Sequence, residues 1–567
     1  MSVEPRLNVV LCWHMHQPQY RDLLNGLYHL PWTYLHAIKD YTDMAALLEA
    51  APRARAVVNF APILLEQLDD YARRTRNFLA HGEPLTDPLL SALVAPAAPA
   101  IQEQRLALVK TCLRVNREHL ILPFPGYRAL ADIAALIIEQ PECAVYLSDQ
   151  YFADIVTWYH LVWLGETVRR TNQKVQLLID KGCGYTLEER RSLLEIIADL
   201  LGSVIPRYRA LAERGQVELS VTPYAHPILP LLLDFESAHE SLPHAPLPEP
   251  RRYPGGEERA HWHIQRGLET CRAHFGFAPQ GCWPAEGGVS EAALRLLSQY
   301  GVRWAASGET VLANSLKKNG ATMDSAHKDW LYRPYQINGV NCFFRDDGLS
   351  DLIGFTYAKW HADDAVSNLI SHLQTIAAAQ PHPDKIVSII LDGENAWEYY
   401  PFNGYYFLTT LYQRLSEHPH IKLTTFSDYL EQTGSAPAPL DALTAGSWVY
   451  GTFSTWIGSA DKNRGWDMLC EAKKAADQAL AAGNLTGEQR EKIMEQLALC
   501  EGSDWFWWFG DYNPGETVSD FERLFRRHLT NLYHLIGKPA PEELAQVLSR
   551  GTGAPAHGGV MRAQADA

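Results

Sequence analysis

The stretch Lys385-Ile-Val-Ser-Ile-Ile-Leu391-Asp392-Gly393-Glu394-Asn395-Ala396-Trp397 decides the fold. From Lys385 to Leu391 it reads as an apolar run without alternation, the pattern of a strand buried on both faces of a parallel sheet. Directly behind it come Asp392, Gly393 and Glu394, which are unsuited to a buried strand. In α/β barrels the chemistry sits where strands end and loops begin. A second segment, Gly281-Cys-Trp-Pro-Ala-Glu286, has the same form: a carboxylate beside a tryptophan at a strand end. Two carboxylates flanked by aromatic rings are what glycoside cleavage needs.

Outward from these segments, further buried-strand patterns lie at Leu7–Cys12, Arg55–Phe60, Val217–Val221, Val302–Ala306, Val340–Phe344 and Ile421–Thr425. Helical periodicity fills much of the intervening chain, notably 101–116, 149–165 and 186–213. Strands alternating with helices predict βαβ units and a parallel sheet, here a (β/α) barrel with long insertions. The Pro-rich stretch Gln432–Leu440 reads as a linker. Helical patterns follow at 461–482, 486–500 and 518–536. The expected organisation is a catalytic barrel over 1–431, a helical domain over 441–540 and a disordered tail over 541–567.

The chain has 567 residues and a formal net charge of -16. That charge argues against nucleic acid or an anionic membrane as partner. There is no apolar stretch of about 18 residues to span a membrane, and the apolar run ahead of Trp13 is too short for a signal peptide. The nine cysteines are scattered, with no C-x-x-C pair. Free thiols and a cytoplasmic location are expected.

His14-Met-His16-Gln17-Pro-Gln-Tyr20 follows the first strand. Residues i and i+2 of an extended segment share a face, so the two imidazoles can hydrogen-bond sugar hydroxyls or ligate a metal. No third and fourth ligand is evident, so no metal and no other cofactor is expected. Tyr224-Ala-His226 brings another ring and imidazole. Asp346, after Val340–Phe344, either contacts substrate or orients a loop beside Arg345. Glu286 read alone is a helix N-terminal glutamate, and Asp392 a turn aspartate. Gly502-Ser-Asp504-Trp505-Phe-Trp-Trp508-Phe-Gly-Asp511 is either a core block or a roof laid over the site.

With these segments assembled, the chain resembles glycoside hydrolase family 57. The carriers are H-M-H-Q-P-Q-Y at His14, G-Q-V-E-L-S at Gly215, G-C-W-P-A-E at Gly281, L-D-G-E-N-A-W at Leu391 and G-S-D-W-F-W-W at Gly502. Locally, L-D-G-E-N-A-W-E-Y-Y-P and T-P-Y-A-H-P-I-L-P resemble the α-amylase and amylopullulanase branch. The resemblance implies a seven-stranded (β/α) barrel with a helical domain. It implies retaining action on α-1,4-glucans or maltooligosaccharides, with α-1,6 bonds as a further candidate. Glu286 matches the nucleophile and Asp392 the acid/base, and Asp392 is expected to take the larger pKa rise. His14, His16, Gln17, His226, Trp283, Asp346, Trp397, Asp504 and Trp505 would line the sugar site. The alternatives are a 4-α-glucanotransferase or branching-type transglycosylase and, in another class, a metal-dependent deacetylase or α-mannosidase.

Overall fold

The computed structural model describes residues 6–323, 328–379, 384–434 and 436–553. Seven parallel strands close into a ring in chain order: β1 Leu7–Met15, β2 Ala56–Phe60, β3 Val217–Val221, β4 Gly281–Cys282, β5 Trp304–Gly308, β6 Val340–Arg345 and β7 Ile386–Asp392. The ring shuts where Arg345 of β6 pairs with Ser388 of β7, and β7 then runs beside β1 with His14 opposite Asp392. This is the expected barrel. The short strands Tyr335–Ile337, Ile421–Leu423 and Ala438–Pro439 flank it. β4 is only two residues long and runs beside β5, where a Cβ on Gly281 would sit 1.9 Å from the Trp304 ring.

Side-chain alternation along the strands divides the core in two. Val10, Cys12, Val57, Phe343, Ile386 and Ile390 form one apolar cluster, the barrel interior, closed from below by Phe426 and Tyr429. Val9, Leu11 and Trp13, one residue out of phase, belong to the larger cluster beneath the surrounding helices. The inward set of β1 therefore continues Val10, Cys12, His14, and that of β7 continues Ile386, Ile390, Asp392. At the C-terminal rim the same geometric position changes from apolar to polar.

Between β2 and β3 the chain inserts a large helical region, opening with helix Pro62–His81 and ending with helix Leu187–Glu213. The C-terminal helices are Ala460–Ala481, Gly487–Cys500, Asp504–Trp508 and Gly515–Leu535. A buried ionic cluster locks them to the barrel. Arg259 grips Glu501 through Nε and Nη2, His263 Nε2 meets it at 2.7 Å, and the Tyr253 hydroxyl donates to it. These partners hold the Glu501 carboxyl down at about 2 against the opposing effect of burial.

Two boundaries differ from the sequence reading. The linker does not lead straight into helices. Ala438–Pro439 pairs with Tyr335–Ile337, and the following segment returns over the barrel mouth, where Gly446 and Val289 form a bridge. The helical region begins at Ala460. Within the expected disordered tail, residues 541–553 pack on the helices: Leu544 and Leu548 are buried and Ser549 Oγ donates to Asp461. Leu544 and Leu548, which precede the Gly/Ala-rich end of the chain, supply that anchoring. The rest of the tail lies outside the described residues. No helix is long and apolar enough to cross a membrane among the described residues. All nine cysteines are unpaired.

Candidate active site

The rim of the barrel opens into a cavity of about 90 Å³. Its floor and walls carry His14, His16, Gln17, His226, Glu286 and Asp392, and its roof carries Asp504, Trp507 and Trp508. Strand ends supply the floor and the helical region supplies the roof, so neither part of the chain forms the site alone.

Glu286 and His226 both adopt left-handed backbone, with φ of 57° and 59°. Such strain in non-glycine residues persists only where surrounding contacts over-determine it. At Glu286 the backbone carbonyl accepts from Trp448 N–H at 3.0 Å, and at His226 the carbonyl accepts from Ser503 N–H at 2.9 Å. Each strained residue is thus pinned by a segment far along the chain. The same two segments hold the Glu286 carboxyl: Trp448 Nε1 donates to Oε2 at 3.0 Å, and Ser503 Oγ lies 3.3 Å from Oε1.

The histidines form a directed chain. His14 Nδ1 sits 2.6 Å from Asn59 Oδ1, which can only accept, so Nδ1 carries the hydrogen. His14 Nε2 is then an acceptor and takes the Nε2 hydrogen of His226 at 3.1 Å. That leaves His226 Nδ1 to accept from Ser503 Oγ at 2.8 Å. Both rings are held neutral. Burial, then the neighbouring His16, pushes His14 down to about 3, and burial followed by His16 and His14 drives His226 well below its usual range. The Ser503 hydroxyl thus stands between His226 Nδ1 and Glu286 Oε1, within reach of donating to either.

Burial raises both carboxyls, Glu286 to about 8 and Asp392 to about 6. The charge of Asp392 adds to the rise at Glu286, whereas Asn395, His16 and Arg345 favour the Asp392 anion. The surroundings therefore oppose the rise more at Asp392 than at Glu286, contrary to the expectation that Asp392 takes the larger one. Asn395 and the Arg345 guanidinium lie on the Asp392 side, an arrangement that only the folded chain creates. Two neighbouring carboxyls both raised in this way are suited to sharing one proton near neutral pH.

Glu394, which the sequence reading passed over, is a buried anchor. Its Oε1 accepts from His16 N–H, Gln17 Nε2 and the Tyr41 hydroxyl, fixing the loop after β1. Burial, then the Asp392 charge, pushes its carboxyl well up. Gln17 is occupied by this anchor and by the Tyr20 hydroxyl, yet still lines the cavity.

The fold also supplies the third metal-type donor that the sequence lacked. His16, His226 and Asp504 offer ligand atoms within 4.8 Å of one another. The donor set fits an ion poorly. The His16 and His226 rings stack at 3.8 Å with planes only 13° apart, so their in-plane lone pairs run side by side and do not converge. His16 Nε2 already spans both Asp504 oxygens at 2.9 and 3.0 Å.

Four expected lining residues lie elsewhere. Trp283 is fully buried beneath the floor, edge-on to Trp448. Asp346 caps the helix at Leu349 and takes the Tyr332 hydroxyl, while Arg345 pairs with Asp347 and Asp351. Trp397 packs against Trp13 and donates to Gly393 O, in the wall of a different cavity. Trp505 is turned into the helical core against Phe521, Phe525 and His528. In the helix Asp504–Trp508, a 3.6-residue period sends Asp504, Trp507 and Trp508 to the cavity and Trp505 to the opposite side. Trp448 carried no sequence signal. Ser503 and Asn395 sat inside quoted motifs, but neither residue type announces itself.

Comparison with solved structures supports the fold at low sequence identity. A GH57-type branching enzyme from Pyrococcus horikoshii superposes with a TM-score of 0.55 and 16% identity, over 94% of each chain. The alpha-amylase AmyC from Thermotoga maritima gives 0.54 and 15%, over 95% of each chain. A 4-alpha-glucanotransferase from Thermococcus litoralis gives 0.51 and 14%, over 93% of this chain and 60% of that one. The sequence profile of glycosyl hydrolase family 57 matches residues 10–437, three quarters of this chain, and the chain belongs to that family.

Proposed function

We propose that this protein is a retaining glycosidase acting on α-1,4-glucans and maltooligosaccharides. The observation that carries the reading is the placement of two buried carboxyls, Glu286 and Asp392, at strand ends around one cavity, in unequal surroundings. Retaining cleavage asks for such a pair, one carboxyl protonated and one ionised. Substrate binding would have to move the shared proton onto Asp392. Asp392 then gives it to the leaving glycosidic oxygen as that bond breaks. Glu286 forms the bond to the anomeric carbon, its charge held by Trp448 and Ser503. Asp392, now a carboxylate, takes the proton of the incoming hydroxyl, which displaces Glu286. His16 and Asp504 hold sugar hydroxyls, with contacts that tighten as the ring flattens. The similar structures described as branching enzyme, alpha-amylase and 4-alpha-glucanotransferase support an α-glucan substrate. The nine unpaired cysteines fit a reducing, cytoplasmic setting.

One observation favours a second reading, transfer to another glucan. The cavity is small and roofed by Trp448, Trp507, Trp508 and Phe521. A roof that excludes water lets a sugar hydroxyl compete for the intermediate. Incubation with maltoheptaose, pullulan and glycogen, followed by chromatography and anomeric NMR of the products, tests both. Shorter products with retained configuration support hydrolysis, and longer or branched products support transfer. Turnover of none of them by folded enzyme would sink the α-glucan assignment.

A further inference from the structure

The loop that carries Asp392 and Asn395 into the active cavity also walls a second, larger one. This cavity measures about 370 Å³. The turn Asn395–Tyr399 separates the two, with Asn395 on the first and Trp397 and Glu398 on the second.

The loop beyond this turn is strained in a defined way. Phe402, Asn403 and Gly404 take successive left-handed conformations, with φ of 54°, 53° and 71°. Only the last is a glycine, and a Cβ there would meet the Trp397 ring at 2.9 Å. The strain is held by a buried polar network. Lys39 Nζ donates to Asn403 Oδ1 at 3.0 Å and to Asp40 at 2.9 Å, and Asn403 Nδ2 donates to Asp43 at 2.9 Å. Lys39 is 1% exposed and Asn403 6%. The outcome is local: the Phe402 ring is 52% exposed and Tyr406 48%. The network fixes the loop in a conformation that leaves the Phe402 ring half in solvent. Arg170 lies over Phe402, Tyr405 and Tyr406 and donates to the Tyr406 hydroxyl, and Glu166 fixes both Arg169 and Arg170.

Flat rings at a rim, beside fixed guanidinium and carboxylate groups, match the chemistry of a pyranose chain. Its C–H faces stack on aromatic rings and its hydroxyls pair with Arg and Glu. We infer that this second cavity and its Phe402–Tyr406 rim hold a segment of an α-glucan chain outside the active cavity, so that the enzyme prefers long or branched glucans over short ones. This rests on the α-glucan reading above and adds a site to it.

The test uses the full chain with Phe402→Ala and Tyr406→Ala combined. Both rings are half in solvent, so the core is untouched. Mobility in native gels containing glycogen reads binding without turnover. kcat/KM on glycogen and on maltotriose reads chain-length preference. Expected are a fivefold or greater loss of glycogen affinity, a similar loss of kcat/KM on glycogen, and maltotriose turnover within twofold of wild type. Unchanged glycogen retardation and an unchanged long-to-short ratio in the folded variant overturn the inference. So does a variant that alters only self-association. Wild-type protein that turns over no α-glucan fails the functional reading instead, a result the wild-type arm shows by itself.

Discussion

The strand ends of the barrel and the helical segment Gly502–Phe509 both feed the active cavity, and they do it by different rules. On β1 and β7 the period is two and the inward position is fixed by the ring. Once Ile390 and Cys12 are inside, Asp392 and His14 must follow. On the helical segment the period is 3.6 and the same aromatic block is divided. Trp507 and Trp508 face the cavity, while Trp505 and Phe506 pack among the helices. Residue type therefore predicts role on the strands. On the helix only position does.

The largest effect separates chemistry from scaffold on the strand side. Glu286→Gln and Asp392→Asn should each lower turnover by about three orders of magnitude or more with an unchanged melting temperature. Near-normal rates in either folded variant would remove that residue from the proposed mechanism.

The second prediction splits the helical segment. Trp505→Ala should cost about 3–5 kcal/mol of stability, the usual range for emptying a buried tryptophan site. Asp504→Ala should leave Tm nearly unchanged and lower kcat/KM by about tenfold or more, as loss of a charge-assisted contact to substrate does. Equal kinetic effects from the two would erase the division drawn here.

Glu501, one residue before Gly502, tests how the segment is held. Glu501→Gln leaves Arg259 buried with a weaker partner, and the cost of breaking such a pair is about 3–5 kcal/mol. The pH dependence has a definite sign. A carboxyl depressed from 4.5 to about 2 contributes stability above the unfolded value, lost as pH falls through the folded one. Acid titration followed by calorimetry should show wild type losing more stability than the variant between these limits, and parallel curves would refute the lock.

A smaller effect concerns the shared proton. Turnover needs the Glu286–Asp392 pair singly protonated, so kcat/KM should fall below about 6, where both hold protons, and above about 8, where neither does. A flat profile across that range would contradict the sharing. The smallest effect is none: treatment with chelator should leave activity unchanged, because the stacked His16 and His226 rings do not converge on an ion. Activity lost to chelator and restored by zinc or manganese would reopen the metal-dependent class.

Much of this protein was legible in the sequence because strands write their geometry locally. Unalternating apolar runs marked buried parallel strands, and the polar residue ending each run marked the rim. That was enough for the barrel, for Glu286 and Asp392, and for His14, His16 and Asp504 as candidates. What the tertiary structure decided involves long-range partners and orientation. Trp448 reaches Glu286 from 162 residues away and Ser503 from 217. The proton preference of the carboxyl pair depends on which flank meets Asn395, His16 and Arg345. Trp505 and Trp397 are of the residue type that makes sugar platforms, but helix phase turns Trp505 inward and brings Trp507 to the active cavity, and Trp397 packs against Trp13 beside a different cavity. A period of two is visible in a short run of residues, but the facing of a five-residue helix or a strained turn is set by what packs behind it.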